Sequence, residues 1–307
     1  MKKNITVDKK KGKFLPICIF AVCFIAFIYC GARLGIYFYE LHTDNEAMDD
    51  VYRLKALSEQ AADITENVTD VQESSRVGIT DTDMTNEADS QSVTTQPLKS
   101  DFNKLSENGM LIRFEKMYQE NNDFAGWIII GGTVINYPVM GNGAAKDYYL
   151  HRNFFKDYSY SGIPFLDKEC NIADFKDEKA VNLIIYGHNM KNGSMFHELV
   201  DYTDKDFAES HEEIVFDSIW DPGTYRLVAV LQIAFSGSDA NNTERFYRFT
   251  STSDETEVSW INSYIQKYAV YASGYKIKAK DSLITLSTCS YQQDDGRTVL
   301  IAVRTQQ

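Results

Sequence analysis

A series of short β-rich runs, separated by turn residues, fills most of the chain after residue 120 and limits the folds open to it. Each run has four to seven residues, mostly β-branched, aliphatic or aromatic. They lie at 126–130, 133–139, 163–166, 182–186, 225–230, 283–286 and 298–303. Gly131 and Gly132 separate the first two runs and predict a hairpin. Many short strands with few helices indicate a mainly β fold, a closed or nearly closed β-barrel.

Three segments have helical rather than strand periodicity. Residues 104–120 space their apolar side chains for one face of an amphipathic helix, and weaker helical patterns cover 194–208 and 254–268. These segments are too few to form a second layer. We therefore expect a folded domain at 101–307 in which a few peripheral helices accompany the barrel.

The N-terminal part of the chain contains an apolar run without charge at 14–32, a total of 19 residues. A helix needs about 20 apolar residues to cross the hydrocarbon core of a bilayer. Tyr37 and Phe38 suit the membrane interface, so the sequence predicts a transmembrane anchor at 14–38. The alternative is a cleaved signal peptide, but the run is long for one and no convincing A-x-A cleavage site follows it.

Charge on either side of the apolar run predicts its orientation. Residues 1–13 contain six lysines and one aspartate, which indicates a basic tail that stays in the cytoplasm. The rest of the chain would then lie outside the cell, attached to the membrane by a single span. The formal net charge of the whole chain is −13, which argues against a nucleic-acid partner.

Residues 39–100 have the composition of a disordered acidic stalk. From 43 to 100 there are 13 acidic and 4 basic side chains, and Tyr52 is the only aromatic residue. Such a segment cannot bury enough apolar surface to offset the entropy lost on ordering. Only 46–64 has apolar spacing compatible with a short helix.

Outside the apolar run the chain has two cysteines, Cys170 and Cys289. They could form one disulfide, but there is no dense disulfide framework and no CxxC pair for a zinc ribbon or a thioredoxin-like site. An HExxH zinc motif begins at His197 and Glu198, but Asp201 stands where the second histidine is required. We therefore expect neither a metal nor another cofactor.

Cys289 ends a predicted strand on its polar side. Alternation along the strand puts Thr285, Ser287 and Cys289 on one face. A polar loop follows, and Arg297 begins the next predicted strand. If the two strands pair antiparallel, Cys289 is opposite Arg297, with about 5 Å between their Cβ atoms. A guanidinium there would favour a thiolate and donate to a developing oxyanion.

A cysteine nucleophile also needs a proton partner, because a thiol of ordinary pKa is mostly protonated at neutral pH. His188 is the best candidate of the five histidines, since it lies just past the predicted strand 182–186. Singly, these residues have simpler interpretations: a cysteine after a strand is usually a core residue, and a strand-edge arginine is usually solvated. The prediction depends on their combination.

These residues resemble the sortases. Residues 285–289 read TLSTC and match the family's TLxTC signature, and Arg297 follows eight positions after Cys289. His188, in the sequence Gly-His-Asn, completes the family order of His, Cys and Arg. Similarity extends over most of 120–305. A helix at 254–268, between the strand near 225–235 and the strand ending at Cys289, is typical of class B.

The resemblance implies an eight-stranded sortase-type barrel and a cysteine transpeptidase activity. Cys289 would be the nucleophile, His188 the acid and base, and Arg297 the stabiliser of the oxyanion. Substrate-groove positions of the family correspond to Leu150, Thr243, Tyr247 and Ser287. The implied donor is a surface protein with a C-terminal sorting motif of the NPxTx or (S/P)PxTG kind. The implied acceptor is an amine of a peptidoglycan peptide.

Two other functions use the same sequence features. A surface cysteine peptidase would use the same residues and release the acyl group to water, although papain-like enzymes place Cys before His in the chain. A non-catalytic peptide-binding module would use the groove alone. The presence of Cys289, His188 and Arg297 together argues against that second alternative.

Overall fold

The structure is a computed structural model that describes residues 11–74, 103–141, 143, 145, 147–177, 180–234, 246–290 and 296–305. The chain divides into two compact units, 1–46 and 47–307. The second unit contains all the strands. The helices are α1 Lys11–Ser74, α2 Glu115–Glu120, α3 Asp174–Asp177, α4 Lys205–Ser210 and α5 Glu255–Tyr268. The described residues also form short 3-10 helices at Ile112–Phe114, Tyr148–His151, His197–Thr203 and Phe246–Arg248.

Nine strands form one sheet. They are β1 Phe124–Ile129, β2 Asn136–Met140, β3 Phe165–Leu166, β4 Asn182–Tyr186, β5 Glu213–Ser218, β6 Thr224–Ala234, β7 Ala269–Ala272, β8 Leu283–Ser290 and β9 Gly296–Arg304. Their order is β5-β1-β2-β3-β4-β8-β9-β6-β7, and β5 also pairs with β6. This last pairing closes eight strands into a barrel, while β7 attaches to the edge of β6 outside the ring. The predicted eight-stranded barrel is thus confirmed.

Sequence patterns identified most of these strands because their side chains are apolar on the packed faces. The hairpin predicted at Gly131 and Gly132 joins β1 to β2 in antiparallel register. Strands β5 and β7 were not predicted. Strand β5 alternates more and less buried positions, but its sequence of three apolar residues between polar ones has no clear alternation, and β7 is four residues long and only half buried or exposed.

The predicted helices agree with the structure to different degrees. Helix α5 matches the pattern at 254–268 and begins at the N-cap Asp254, whose carboxylate accepts from the Thr256 N–H at 2.5 Å. The helix predicted at 104–120 is wrong in its first half, because Gly109 has a φ of +76° and closes a turn. The pattern at 194–208 splits into a 3-10 helix and α4, with Asp204 as the N-cap between them.

The segment 39–74 differs from the predicted disordered stalk, because it is helical and continues α1. Its residues from Ala47 onward belong to the same compact unit as the barrel, so that unit begins before the predicted boundary at 101. Val51 and Ser58 are buried on one side of the helix. The prediction for 75–100 lies outside the described residues.

The N-terminal unit contains the apolar part of α1. Among the described residues, Ile19–Ala61 is the one helix long and apolar enough to cross a membrane, and no part of its apolar window is buried. Ile19, Phe20, Phe24 and Phe27 each expose more than half of their surface. This exposed apolar face is consistent with a membrane anchor.

Candidate active site

Three neighbouring strands bring the predicted catalytic positions to one end of the barrel. Strand β4 pairs with β8 in parallel, with Tyr186 opposite Ser287. His188 lies two residues after Tyr186, and Cys289 lies two residues after Ser287. Because the two strands are parallel, both residues lie toward the same end of the sheet. Strand β9 pairs with β8 antiparallel, with Cys289 directly opposite Arg297. The strand register thus agrees with the hairpin geometry expected from the sequence.

The turn after β4 positions His188 through its backbone. The Gly187 N–H donates to Ser287 O at 3.1 Å, which attaches the turn to β8. The His188 carbonyl accepts from the Phe196 N–H at 2.9 Å. A Cβ atom at Gly187 would be 2.5 Å from the Phe196 ring, which is impossible without displacement. Glycine is therefore required before His188 by close packing rather than by its backbone angles.

The 3-10 helix Tyr148–His151 fixes the imidazole of His188. The Nε2–H of His188 donates to Leu150 O at 2.8 Å. Because a carbonyl only accepts, this hydrogen bond assigns the proton of the neutral ring to Nε2 and leaves Nδ1 as the acceptor. The exposed ring of His151 lies beside His188, with 5.4 Å between the ring centroids.

Burial lowers the pKa of His188 below its usual value, since removing water disfavours the imidazolium. The hydrogen bond to Leu150 acts in the opposite direction, and the neighbouring His151 lowers the pKa further. The balance favours a neutral His188 near pH 7. Such a ring has an unprotonated nitrogen that can accept a proton from a thiol.

A cavity of about 810 Å³ opens at this end of the barrel. His188, Arg297, Leu150, Tyr247 and Ser287 all contribute to its wall. Five positions chosen from the sequence therefore share one cavity. Arg297 is half buried, and its Nη1 donates to Gly296 O at 3.0 Å.

The wall also contains two residues whose hydroxyl groups are buried. Ser287 and Thr288 are each at least 98% buried and line the cavity. Within the described part of the chain, neither hydroxyl has a hydrogen-bond partner. A buried hydroxyl without a partner costs free energy, so a group that binds in the cavity gains by pairing with it.

The structure does not fully describe two of the predicted positions. Thr243 lies outside the described residues. For Cys289 the structure gives the backbone and its pairing. Sequence reasoning did not identify the Leu150 carbonyl, because a backbone acceptor has no signature, and it did not select His151 from among the histidines.

Comparison with known proteins agrees with this geometry. No protein-family model matches the chain. Sortase B from Listeria monocytogenes is 35% identical over 182 residues, which is 59% of this chain and 69% of that protein. The chain belongs to the class B sortases. Sortase B from Staphylococcus aureus is 30% identical over 192 residues, which is 62% of this chain and 73% of that protein.

Solved structures of class B sortases share the barrel. Sortase B from Clostridium perfringens is 27% identical, with a TM-score of 0.53 over 62% of this chain and 98% of that one. A Staphylococcus aureus sortase B–substrate complex is 27% identical, with a TM-score of 0.55 over 64% of this chain and 86% of that one.

Proposed function

We propose that this sortase is a cysteine transpeptidase that cleaves a C-terminal sorting motif after Thr and joins the released acyl group to a cell-wall peptide amine. The observation that carries the proposal is the strand register. It sets Cys289 opposite Arg297 on β9, and His188 follows the neighbouring strand β4. This register supports an active site in which Cys289 is the nucleophile, His188 the proton partner and Arg297 a permanent cation.

In the first half of the reaction, Nδ1 of His188 accepts the proton of the Cys289 thiol. The thiolate attacks the carbonyl carbon of the motif's Thr, and Arg297 donates to the resulting oxyanion. The C–N bond then breaks. His188 returns the proton to the leaving amine, and the acyl group remains on Cys289 as a thioester.

In the second half, an amine of a peptidoglycan peptide attacks the thioester carbonyl. His188 takes the proton of this amine, the C–S bond breaks, and the thiol is restored. The same imidazole therefore acts as acid and then as base, which suits a histidine held neutral at rest.

The donor peptide would bind along the cavity wall. Leu150 and Tyr247 offer apolar and aromatic surface there, Ser287 offers its unpaired hydroxyl, and we assign Thr243 to the same groove from the family resemblance. The motif would be of the NPxTx or (S/P)PxTG kind. With α1 as a single-pass anchor and the N-terminus in the cytoplasm, the barrel would meet surface proteins outside the cell.

A peptide panel tests the proposal. Peptides that carry each sorting motif are incubated with the enzyme, with and without short amine acceptors, and the products are measured by mass spectrometry. We expect a product that joins the acyl part to the acceptor and a thioacyl adduct on Cys289. The Cys289→Ala variant should keep its melting temperature and make neither species.

Two results would select another function. Cleavage that yields only the hydrolysed acid, even with acceptors at high concentration, would identify a surface cysteine peptidase. Tight binding of a motif peptide without any cleavage would identify a non-catalytic binding module.

A further inference from the structure

His151 stands beside the predicted catalytic histidine, although no step of the proposed reaction uses it. Its ring centroid is 5.4 Å from that of His188, and the two planes are inclined by 32°. The ring of Tyr158 also stacks on His151, with 6.5 Å between centroids and an angle of 24°. His151 therefore has two ring neighbours, although it is exposed to solvent.

The backbone around His151 is built to keep this arrangement. Tyr149 is fully buried, and its hydroxyl donates to Asp123 Oδ2 at 2.7 Å and accepts from Asn121 Nδ2 at 3.0 Å. The His151 carbonyl accepts from the Ser159 N–H at 3.1 Å. Leu150 and His151 are neighbours in the same short helix. The hydrogen bond from His188 to the Leu150 carbonyl therefore also brings the His188 ring beside His151.

The other charged side chains that share the cavity with His188 are carboxylates, a lysine and arginines. They are Asp147, Asp167, Glu169, Lys168, Arg248 and Arg297. Carboxylates, lysine and arginine ordinarily keep their charges between pH 5 and 8. Three are negative and three positive, so their formal charges cancel. Apart from Cys289, His151 is thus the neighbour of His188 whose residue type can change charge near neutral pH.

We propose that His151 is a positioning residue that sets the protonation state of His188 through its own charge. The inference rests on the proposed function, in which His188 is the acid and base. Two imidazoles at this distance titrate as a coupled pair, so a proton on His151 disfavours a second proton on His188.

This coupling has a chemical consequence. A proton that His188 takes from the thiol makes it an imidazolium, and a positive His151 beside it makes that imidazolium a stronger acid. Proton return to the leaving amine is then favoured over an idle thiolate–imidazolium pair. His151 in this way favours the proton-return step of acylation without touching the substrate.

Replacements of His151 by neutral and by permanently charged side chains test the proposal. His151→Gln removes the charge, and His151→Arg makes it independent of pH. His211→Gln is the matched control, since it removes an imidazole that packs on Phe207, with 4.1 Å between ring centroids, rather than on His188. The pKa of His188 is measured in each resting enzyme from its imidazole NMR signals, and the pH profile of kcat/KM is measured with the best motif peptide.

We expect His151→Gln to raise the pKa of His188 by about 0.5–1 unit, the size of a solvent-screened interaction at this distance. The acidic limb of kcat/KM should move upward with it. His151→Arg should move both in the opposite direction, and His211→Gln should move neither. A purely structural role for His151 would not give shifts of opposite sign.

An unchanged pKa of His188 in both His151 variants, or a shift of the same sign in both, would overturn the inference. The NMR measurement needs no substrate, so it stands even if no motif peptide is turned over. Failure of all peptides would instead count against the proposed function. Normal turnover with superimposable pH profiles would count against the role of His151 alone.

Discussion

Cys170 lies in surroundings that suppress thiol chemistry. It is 4% exposed, and its Sγ is 3.4 Å from Asn182 O and 3.4 Å from the Ile184 N. Burial raises the pKa of the Cys170 thiol to about 12, so the reactive thiolate is scarce at neutral pH. Its residue type alone made it a possible partner for Cys289. Its burial shows why a passive role fits better.

We predict that Cys170→Ala keeps kcat/KM near the wild-type value and costs about 1 kcal/mol of stability, because it removes a small buried group away from the reacting atoms. Mass spectrometry of a thiol-directed peptidyl inhibitor on the 47–307 fragment should find label on Cys289 in both proteins. An activity loss as large as that of Cys289→Ala would contradict this, and would reopen pairing between the two cysteines.

Arg297 is assigned a role that depends on the shape of its guanidinium. That group is planar, always charged and able to donate two parallel hydrogen bonds, whereas the lysine ammonium is a point charge on a flexible stem. We predict that Arg297→Lys and Arg297→Ala both lower kcat by about 10²–10³, the usual effect of losing one oxyanion donor. The change in KM should be smaller.

Steady-state kinetics with one motif peptide measures this prediction. Arg304→Lys is a matched control, since Arg304 lies on the same strand but pairs with Asp221 at 2.8 Å. If Arg297→Lys keeps most of its kcat, Arg297 acts on the thiol as a simple charge rather than on the oxyanion.

At the scale of the elements, the parts of the site carried by strands could be predicted from the sequence. The register between β8 and β9 follows from two apolar runs and a polar loop, so Cys289 and Arg297 could be paired in advance. For the turn that contains His188, the sequence predicted only that it follows β4, not what it contacts. The position of the 3-10 helix Tyr148–His151 could not be predicted, because its contact with His188 uses a backbone carbonyl and its placement depends on the long-range contacts of Tyr149.

Gly162 packs directly against the backbone of the 3-10 helix Tyr148–His151. It has a φ of +58°, and a Cβ atom there would be 2.3 Å from Leu150 O, the acceptor for His188. We predict that Gly162→Ala displaces the Leu150 carbonyl and lowers kcat at least tenfold, since misplacement of about 1 Å costs 10²-fold elsewhere. The measurement is kcat at the optimum pH, together with the melting temperature.

Gly274→Ala separates displacement from backbone strain. Gly274 also has a positive φ, at +85°, but a Cβ atom there would meet nothing within 4 Å. Gly274→Ala should lose roughly 1–2 kcal/mol, the cost of a non-glycine residue in the left-handed region, and Gly162→Ala should lose more because its Cβ also clashes with backbone. Only Gly162→Ala should also lose activity. Equal activity in the two variants would show that the carbonyl of Leu150 is not required for His188.

At the scale of the molecule, the sequence placed the boundary of the folded unit too late. Acidic composition across 39–100 indicated disorder, yet 47–60 contributes a buried helical face to the unit that contains the barrel. The Ser58 hydroxyl donates to Arg113 O at 2.6 Å, and the Tyr52 hydroxyl donates to Asn136 O at 2.9 Å. A few apolar residues at helical spacing suffice when a partner surface exists, and composition averaged over the whole segment conceals them.

A substitution at Val51 tests whether this helical segment contributes to the stability of the domain. It is 1% exposed and packs in the core cluster that includes Phe114 and Trp127. Val51→Ala should lower the free energy of unfolding of the 47–307 fragment by about 1–2 kcal/mol, because the lost burial exceeds the small gain in helix propensity. Leu57→Ala is the control on the same helix, since Leu57 is 51% exposed and should change stability by less than about 0.5 kcal/mol. Urea unfolding followed by tryptophan fluorescence measures both. Equal, negligible effects would mean that the barrel is stable without the docked segment and that the folded unit begins after it, as composition alone suggested.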